Sequence, residues 1–168
     1  TISYYLSLNT DWGDSVSFLL GARYEEFTQE IAYPNSVTES SQLKVDDFYP
    51  AANITWRPND DWQLRLAYSQ TVSYPGLIER TEATSYNPIT DDPVFGNPNL
   101  IASEIDNIDA RVEYYFSETG SVTLSVFYKD IANPIEQALP DASGSAAQGI
   151  TYRNQKSAEL TGVELESS

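Results

Sequence analysis

The chain has 168 residues, 40% of them apolar, and its 9 basic and 25 acidic side chains give a formal charge of −16. It contains no cysteine and no histidine, which excludes disulfide frameworks, thiol nucleophiles, imidazole bases and the usual His or Cys zinc sites. Its charge argues against nucleic acid as a partner, since phosphate contacts need clustered Lys and Arg. No apolar run reaches the roughly 18 residues of a transmembrane helix, and no basic-then-apolar leader opens the chain. A membrane-spanning β-barrel stays open, because strict alternation hides a lipid-facing stripe inside a sequence of polar average.

Seven ribbons with a period of two follow one another, which predicts an all-β fold. The first, residues 2–8, sets Ile2, Tyr4, Leu6 and Leu8 in phase. After a turn at 9–14 rich in Asp, Asn and Gly, the second (15–28) does the same with Val16, Phe18, Leu20, Ala22 and Tyr24. The third (47–57) alternates Ala52, Ile54 and Trp56 with Asn53, Thr55 and Arg57. A compact turn at 58–61, with φ fixed by Pro58, leads to the fourth (62–72), where Trp62, Leu64, Leu66 and Tyr68 oppose Gln63, Arg65, Ala67 and Ser69.

The fifth and sixth ribbons, 107–116 and 122–131, form a predicted hairpin across 117–121. Ile108, Ala110, Val112 and Tyr114 share a face with Val122, Leu124, Val126 and Tyr128, while Asp109, Arg111, Glu113 and Lys129 take the other. The seventh (152–166) changes phase near Gly162, which predicts a bulge or a close approach of backbone. The alternation is interrupted at both ends, so the chain is expected to be a segment of something longer.

Alternation alone suits a soluble sandwich and a membrane barrel about equally. The connections separate them: 9–14, 58–61 and 117–121 are short, whereas 29–46, 73–103 and 133–151 are long. Short turns on one edge and long loops on the other are the plan of an outer-membrane barrel. Trp12, Trp56, Trp62, Tyr68, Tyr114, Phe116 and Tyr128 sit at or near ribbon ends, as interfacial girdles do. Carboxylate pairs such as Glu82 with Asp92 or Glu104 with Asp106 lack the framing of a glycosidase, and no catalytic residue is assigned.

Several segments carry a resemblance. Gly96-Asn97-Pro98-Asn99-Leu100, then Phe127-Tyr128-Lys129-Asp130-Ile131, then Gly162-Val163-Glu164, in that order and at strand-and-loop spacing, resemble the barrel region of TonB-dependent outer-membrane receptors. One departure stands at Tyr74, where relatives often carry Arg before the proline. The resemblance implies an antiparallel up-and-down meander belonging to a barrel of about 22 strands. It makes residues 1–168 a partial barrel domain without the plug, the TonB-contacting segment or the closing strands. It further implies a Gram-negative outer membrane, lipid contact, a plug and TonB system in the full protein, and import of a ferric siderophore, a cobalamin-like cofactor or a carbohydrate. The rival readings are a soluble carbohydrate-binding sandwich and a passive porin.

Two residue sets are candidates. Arg23, Arg65 and Arg111, with Glu25, Asp109 and Glu113, lie on the polar parity and are expected to face the lumen and plug, either binding there or merely pairing with one another. The connection at 73–102 is long enough to be functional, and its Tyr74, Arg80, Tyr86, Asp91, Asp92 and Phe95 are candidates for ligand capture at the outer face. Asp91 and Asp92 lack the spacing of a calcium loop, so no metal site and no cofactor is expected. The small-residue stretch 140–149 reads as a spacer or a mobile lid.

Overall fold

In the computed structural model, residues 1–32, 40–89, 91–140 and 149–168 are described; the spacer reading at 140–149 falls outside them except at its two ends. Seven long strands make one antiparallel meander: β1 (Ile2–Trp12), β2 (Val16–Ile31), β3 (Ser41–Asn59), β4 (Trp62–Ser73), then Ser103–Tyr115, Ser121–Ala132 and Ser157–Ser167. Between β4 and the fifth long strand lie the one-turn helix α1 (Leu77–Arg80) and short strands β5 (Thr84–Tyr86) and β6 (Pro93–Phe95). The three remaining long strands are therefore β7, β8 and β11, with β9 (Ile135–Ala138) and β10 (Ile150–Asn154) between the last two.

The short connections after β1, β3 and β7 share one edge, and the long ones after β2, β4 and β8 share the other. At the β3–β4 turn the Asn59 side-chain oxygen accepts from the amides of Asp61 (3.0 Å) and Trp62 (3.1 Å), the local capping that Asn provides in tight turns.

Register carries the alternation intact across the sheet. Thr10, Phe18, Ile54, Leu66, Ala110, Val126 and Val163 are successive cross-strand partners, as are Leu8, Leu20, Ala52, Tyr68, Ile108, Tyr128 and Thr161. Every strand thus offers its apolar parity to the same face. That face is the exposed one: Leu6 is 79% exposed, Trp12 77% and Leu165 74%. The buried side chains on the other face are mostly polar, among them Glu25, Thr55, Gln63, Asn107, Glu113 and Thr123, with Leu43 and Tyr49 beside them on β3. A flat sheet would expose both faces alike, so the difference shows a sheet curled toward its polar side. A sandwich needs the opposite arrangement, with apolar residues inward.

All seven aromatic residues expected at ribbon ends stand on the apolar face. Trp12, Trp56, Trp62, Tyr114 and Phe116 line the short-turn edge, with Trp62 and Tyr114 rings 4.7 Å apart. Toward the other edge the aromatic boundary is Tyr4, Tyr24 and Phe48 on β1 to β3, and Tyr68 and Tyr128 further on. Tyr68 pairs with Ala52 and not with Phe48, so the boundary descends across the sheet as it does when strands tilt in a barrel.

Several expectations change. The strands are longer than their patterned cores, because backbone pairing continues after side-chain alternation fades; β3 begins at Ser41 although its pattern starts at residue 47. The seventh ribbon divides into β10 and β11. No bulge occurs at Gly162, which pairs in register with Phe127. It is instead a close approach: the Phe127 ring occupies the space that a Cβ would fill. The register irregularity lies between Trp56 and Asn59.

Gly162→Ala should therefore lower barrel stability by about 1–3 kcal/mol, a usual cost of overpacking, and adding Phe127→Ala should return part of it. Unfolding of the full-length barrel, followed by its heat-dependent electrophoretic mobility, measures both.

Candidate functional site

The polar face holds two clusters. Near the short-turn edge, Arg57 Nε donates to Gln63 Oε1 (2.7 Å), and Gln63 Nε2 donates to Glu113 Oε2 (2.9 Å). Glu113 also accepts from the Tyr115 hydroxyl and pairs with Arg111 Nε at 2.7 Å. Arg111 reaches Glu166 at 3.9 Å, and Arg65 is its cross-strand partner on β4. Buried polar groups are tolerated where such bonds satisfy them, and here four strands, β3, β4, β7 and β11, contribute to one network. Asp109 shares the face but stands exposed.

The second cluster sits near the loop edge. Arg23 pairs with Glu25 at 3.1 Å and lies 5.5 Å from the Tyr49 ring centroid. Tyr74, just beyond β4, stacks on Phe27 with centroids 3.8 Å apart and planes 8° apart. Burial pushes the Tyr74 phenol well above its ordinary value, and the neighbouring Tyr49 and Glu25 push it the same way. All six residues predicted for the lumen thus share one face, and the structure draws Tyr74 into their company.

Above these clusters the long connections build a second sheet in the order β5-β6-β10-β9. Its β6–β10 pairing is parallel, joining Val94 to Ile150 and Phe95 to Thr151. This outer plate rests on the motif 96–100. A Cβ at Gly96 would overlap the carbonyl oxygens of Thr81 and Ile78, so only glycine lets β6 leave past the end of α1. Asn97 accepts nothing from chance: its amide donates to Glu79 O (2.6 Å), its side-chain nitrogen to Tyr152 O (2.9 Å), and its side-chain oxygen accepts from Asn99 (3.0 Å). Leu100 is 1% exposed.

The candidate capture residues are dispersed. Tyr86 is 65% exposed on β5 and Phe95 is half-buried on β6. Asp91 and Asp92 close the turn between those strands, with the Asp91 amide donating to Asn87 O (2.9 Å), the Asn87 amide donating to Asp92 O (2.9 Å), and Asp91 at φ 59°. Among the described residues no cluster of three metal-ligating side chains occurs. Arg80, expected at the surface, is 2% exposed and bonded inward. A polar charge in a long loop is ordinarily solvated, and nothing in its sequence neighbourhood marks it as buried. An open depression of roughly 430 Å³ lies between α1 and β9, lined by Tyr74, Glu79, Ile105, Ile131 and Ile135 among others.

Sequence reasoning passed over Asn133 and Asn154. Asn154 Nδ2 donates to Ile101 O (3.0 Å) and Asn133 O (2.8 Å), and its side-chain oxygen accepts from the Ile101 amide (3.0 Å), tying β10 to the start of β7. The Asn-Pro pair at 133–134 was the available signal, since Asn takes up the left-handed turn seen here at φ 53°.

The family described as "TonB dependent receptor-like, beta-barrel" has a model that matches residues 1–168. The chain belongs to this family of TonB-dependent receptors. A search of curated proteins finds no match to the sequence. Among solved structures, the Serratia marcescens hemophore receptor HasR, in complex with its hemophore HasA and heme, aligns at TM-score 0.73 with 14% identity, over 98% of this chain and 31% of that one. A variant of the Pseudomonas aeruginosa ferric enterobactin receptor PfeA aligns at 0.70 with 19% identity, covering 98% and 24%. The alcaligin outer-membrane receptor FauA of Bordetella pertussis aligns at 0.64 with 16% identity, covering 99% and 26%. These neighbours are receptors and not enzymes, and they share the fold. The TonB-dependent receptor chain described here spans about a quarter to a third of their length.

Two outcomes follow for the loop edge. Gly96→Ala should loosen the outer plate and raise protease cleavage within 81–95 several-fold, while the barrel stays folded. Tyr74 contributes stability that is fully present below about pH 10, the ordinary phenol value, and that is lost as pH climbs toward its raised folded value. Tyr74→Phe should remove that part of the alkaline destabilisation in a pH series of thermal melts.

Proposed function

We propose that the chain is part of an outer-membrane active-transport receptor of a Gram-negative bacterium, which binds a scarce ligand outside the cell and imports it with energy relayed by TonB. The observation that carries this reading is the inverted sheet: an apolar face exposed over seven strands, bounded by aromatic rows, behind a polar interior. Contiguous apolar surface of that extent is unstable in water and is at home against lipid. The aromatic rows fit the two interfaces, placing the short turns in the periplasm and the outer plate outside the cell.

In this reading the polar face lines a lumen that holds the receptor's own plug domain, supplied by a part of the protein before this segment. Arg65, Arg111, Glu113 and Asp109 face the plug from below, and Arg23, Glu25 and Tyr74 face it near the mouth. Ligand capture falls to the outer plate, where Tyr86 and Phe95 offer aromatic surface. The ligand classes are ferric siderophores, heme or cobalamin-like cofactors, and carbohydrates.

Leu66→Arg, at the middle of the apolar face, should cost about 2–4 kcal/mol of bilayer folding stability, while Ala67→Arg on the opposite face should cost far less. Folding of the full-length receptor into lipid vesicles checks the pair. For transport, cells making the receptor should accumulate one compound from a panel of radio-iron siderophores, labelled cobalamin and labelled oligosaccharides only when TonB is present. Equal uptake without TonB would identify a passive pore instead.

A further inference from the structure

Arg80 is 2% exposed, although it sits in a connection that otherwise runs over the surface. Among the described residues its guanidinium donates to Gln29, Ser41 and Pro98. Nη1 donates to Gln29 Oε1 on β2 (2.9 Å), and Nη2 donates to Ser41 Oγ on β3 (2.8 Å) and to Pro98 O in the motif 96–100 (2.9 Å). Its partners are themselves tied: Gln29 Nε2 donates to Pro75 O (3.1 Å), and Ser41 Oγ approaches the same Pro98 carbonyl (3.2 Å).

This is a fork used as a fork. The planar guanidinium sends its two terminal nitrogens to different elements at fixed angles, which a lysine ammonium on a flexible stem cannot reproduce. Burying a cation is tolerated only where it is well bonded, so the site holds its geometry or loses it as a unit.

The contacts fall on two bodies. Gln29 and Ser41 belong to the long strands, at the points where β2 ends and β3 begins. Pro98 belongs to the outer plate, since its neighbour Asn97 bonds to Tyr152 on β10. The helix α1 that carries Arg80 is bonded to the same segment through Asn97 and Glu79 (2.6 Å). The plate is thus joined within itself by Asn97; Arg80, beside Ser41, joins it to the β2–β3 side of the wall, and Asn154 joins it to the start of β7.

We infer that Arg80 is a positioning residue for the receptor mouth: it holds the plate of β5, β6, β9 and β10 against the ends of β2 and β3 and sets that plate's height and tilt on the barrel. The importance of that pose for capture rests on the import reading above; the mechanical lock does not. Tyr86 and Phe95 are carried by the plate, so Arg80 on the β2–β3 side, with Asn154 on the β7 side, sets their position relative to the lumen. Arg80 then acts on the mouth from below, without touching what the mouth holds.

The test uses the full-length receptor with no other cysteine, spin-labelled in pairs and read by pulsed electron resonance without ligand or TonB. One pair, Ile89→Cys with Glu118→Cys, spans plate and barrel; the other, Ile89→Cys with Leu139→Cys, lies within the plate. Arg80→Gln should at least double the width of the 89–118 distance distribution and leave 89–139 unchanged, with the barrel's heat-dependent mobility intact. Arg80→Lys should broaden 89–118 as well, because one nitrogen replaces two. An 89–118 distribution as narrow in Arg80→Gln as in the parent overturns the inference, as does equal broadening of both pairs. Should Arg80→Gln fail to insert, Gln29→Leu is read by the same criterion. Failure to import any compound leaves these distances, and hence this inference, untouched.

Discussion

Everything in this structure depends on register. A strand's side chains alternate with a period of two, so a slip of one residue in any of the six long-strand pairings would turn every later apolar residue inward and every later charge outward. Among the described residues the pairings hold from β1 to β11 except between Trp56 and Asn59, where the register shifts at the very end of β3 beside its turn and leaves the rest of the sheet in phase. That continuity makes two chemically opposite surfaces from one sheet. Backbone amides and carbonyls of the five inner strands find partners on both sides within the sheet, the condition for any chain that crosses lipid. The polar network from Arg57 through Gln63 to Glu113 and Arg111 then forms because the same register places those side chains on one side.

The two edges solve different problems. The short-turn edge closes hairpins in a few residues, with Asn59 supplying the local acceptor. The loop edge must arrange long connections that have no alternation to guide them. It does so with side chains that bond backbone at a distance, namely Arg80, Asn97, Asn154 and Ser103, whose hydroxyl donates to Asn133 O (2.8 Å). Each such bond replaces a long stretch of ladder and removes much of the conformational freedom that a loop of that length would keep.

The long strands and their faces were legible because alternation is a local signal repeated over many residues. The polar-parity residues Arg23, Glu25, Arg65, Asp109, Arg111 and Glu113 were placed on a common face by counting alone. The outer plate was not legible. β5 and β6 are three residues each, too short to show a period, and β10 takes a parallel partner that sequence spacing does not reveal. Helix α1 is a single turn whose signals, Gly76 before it and Glu79 accepting from the Gly76 amide (2.8 Å), are small beside the strands around them. Arg80 was read as a surface cation because arginine usually is one; its burial depends on Gln29, Ser41 and Pro98 meeting in space, and no local pattern encodes that.

The parallel join between β6 and β10 also imposes an order of assembly. Asn97 and Tyr152 are 55 residues apart, and a contact at that separation carries a large closure entropy while the intervening chain is loose. Once β7 and β8 have zipped into their hairpin, most of that chain is already folded back on itself and the two short strands are brought close. Contacts that wait on others in this way form late. The plate is therefore the last part of the segment to be completed, and a receptor halted partway through its biogenesis would have a finished wall beneath an unfinished rim.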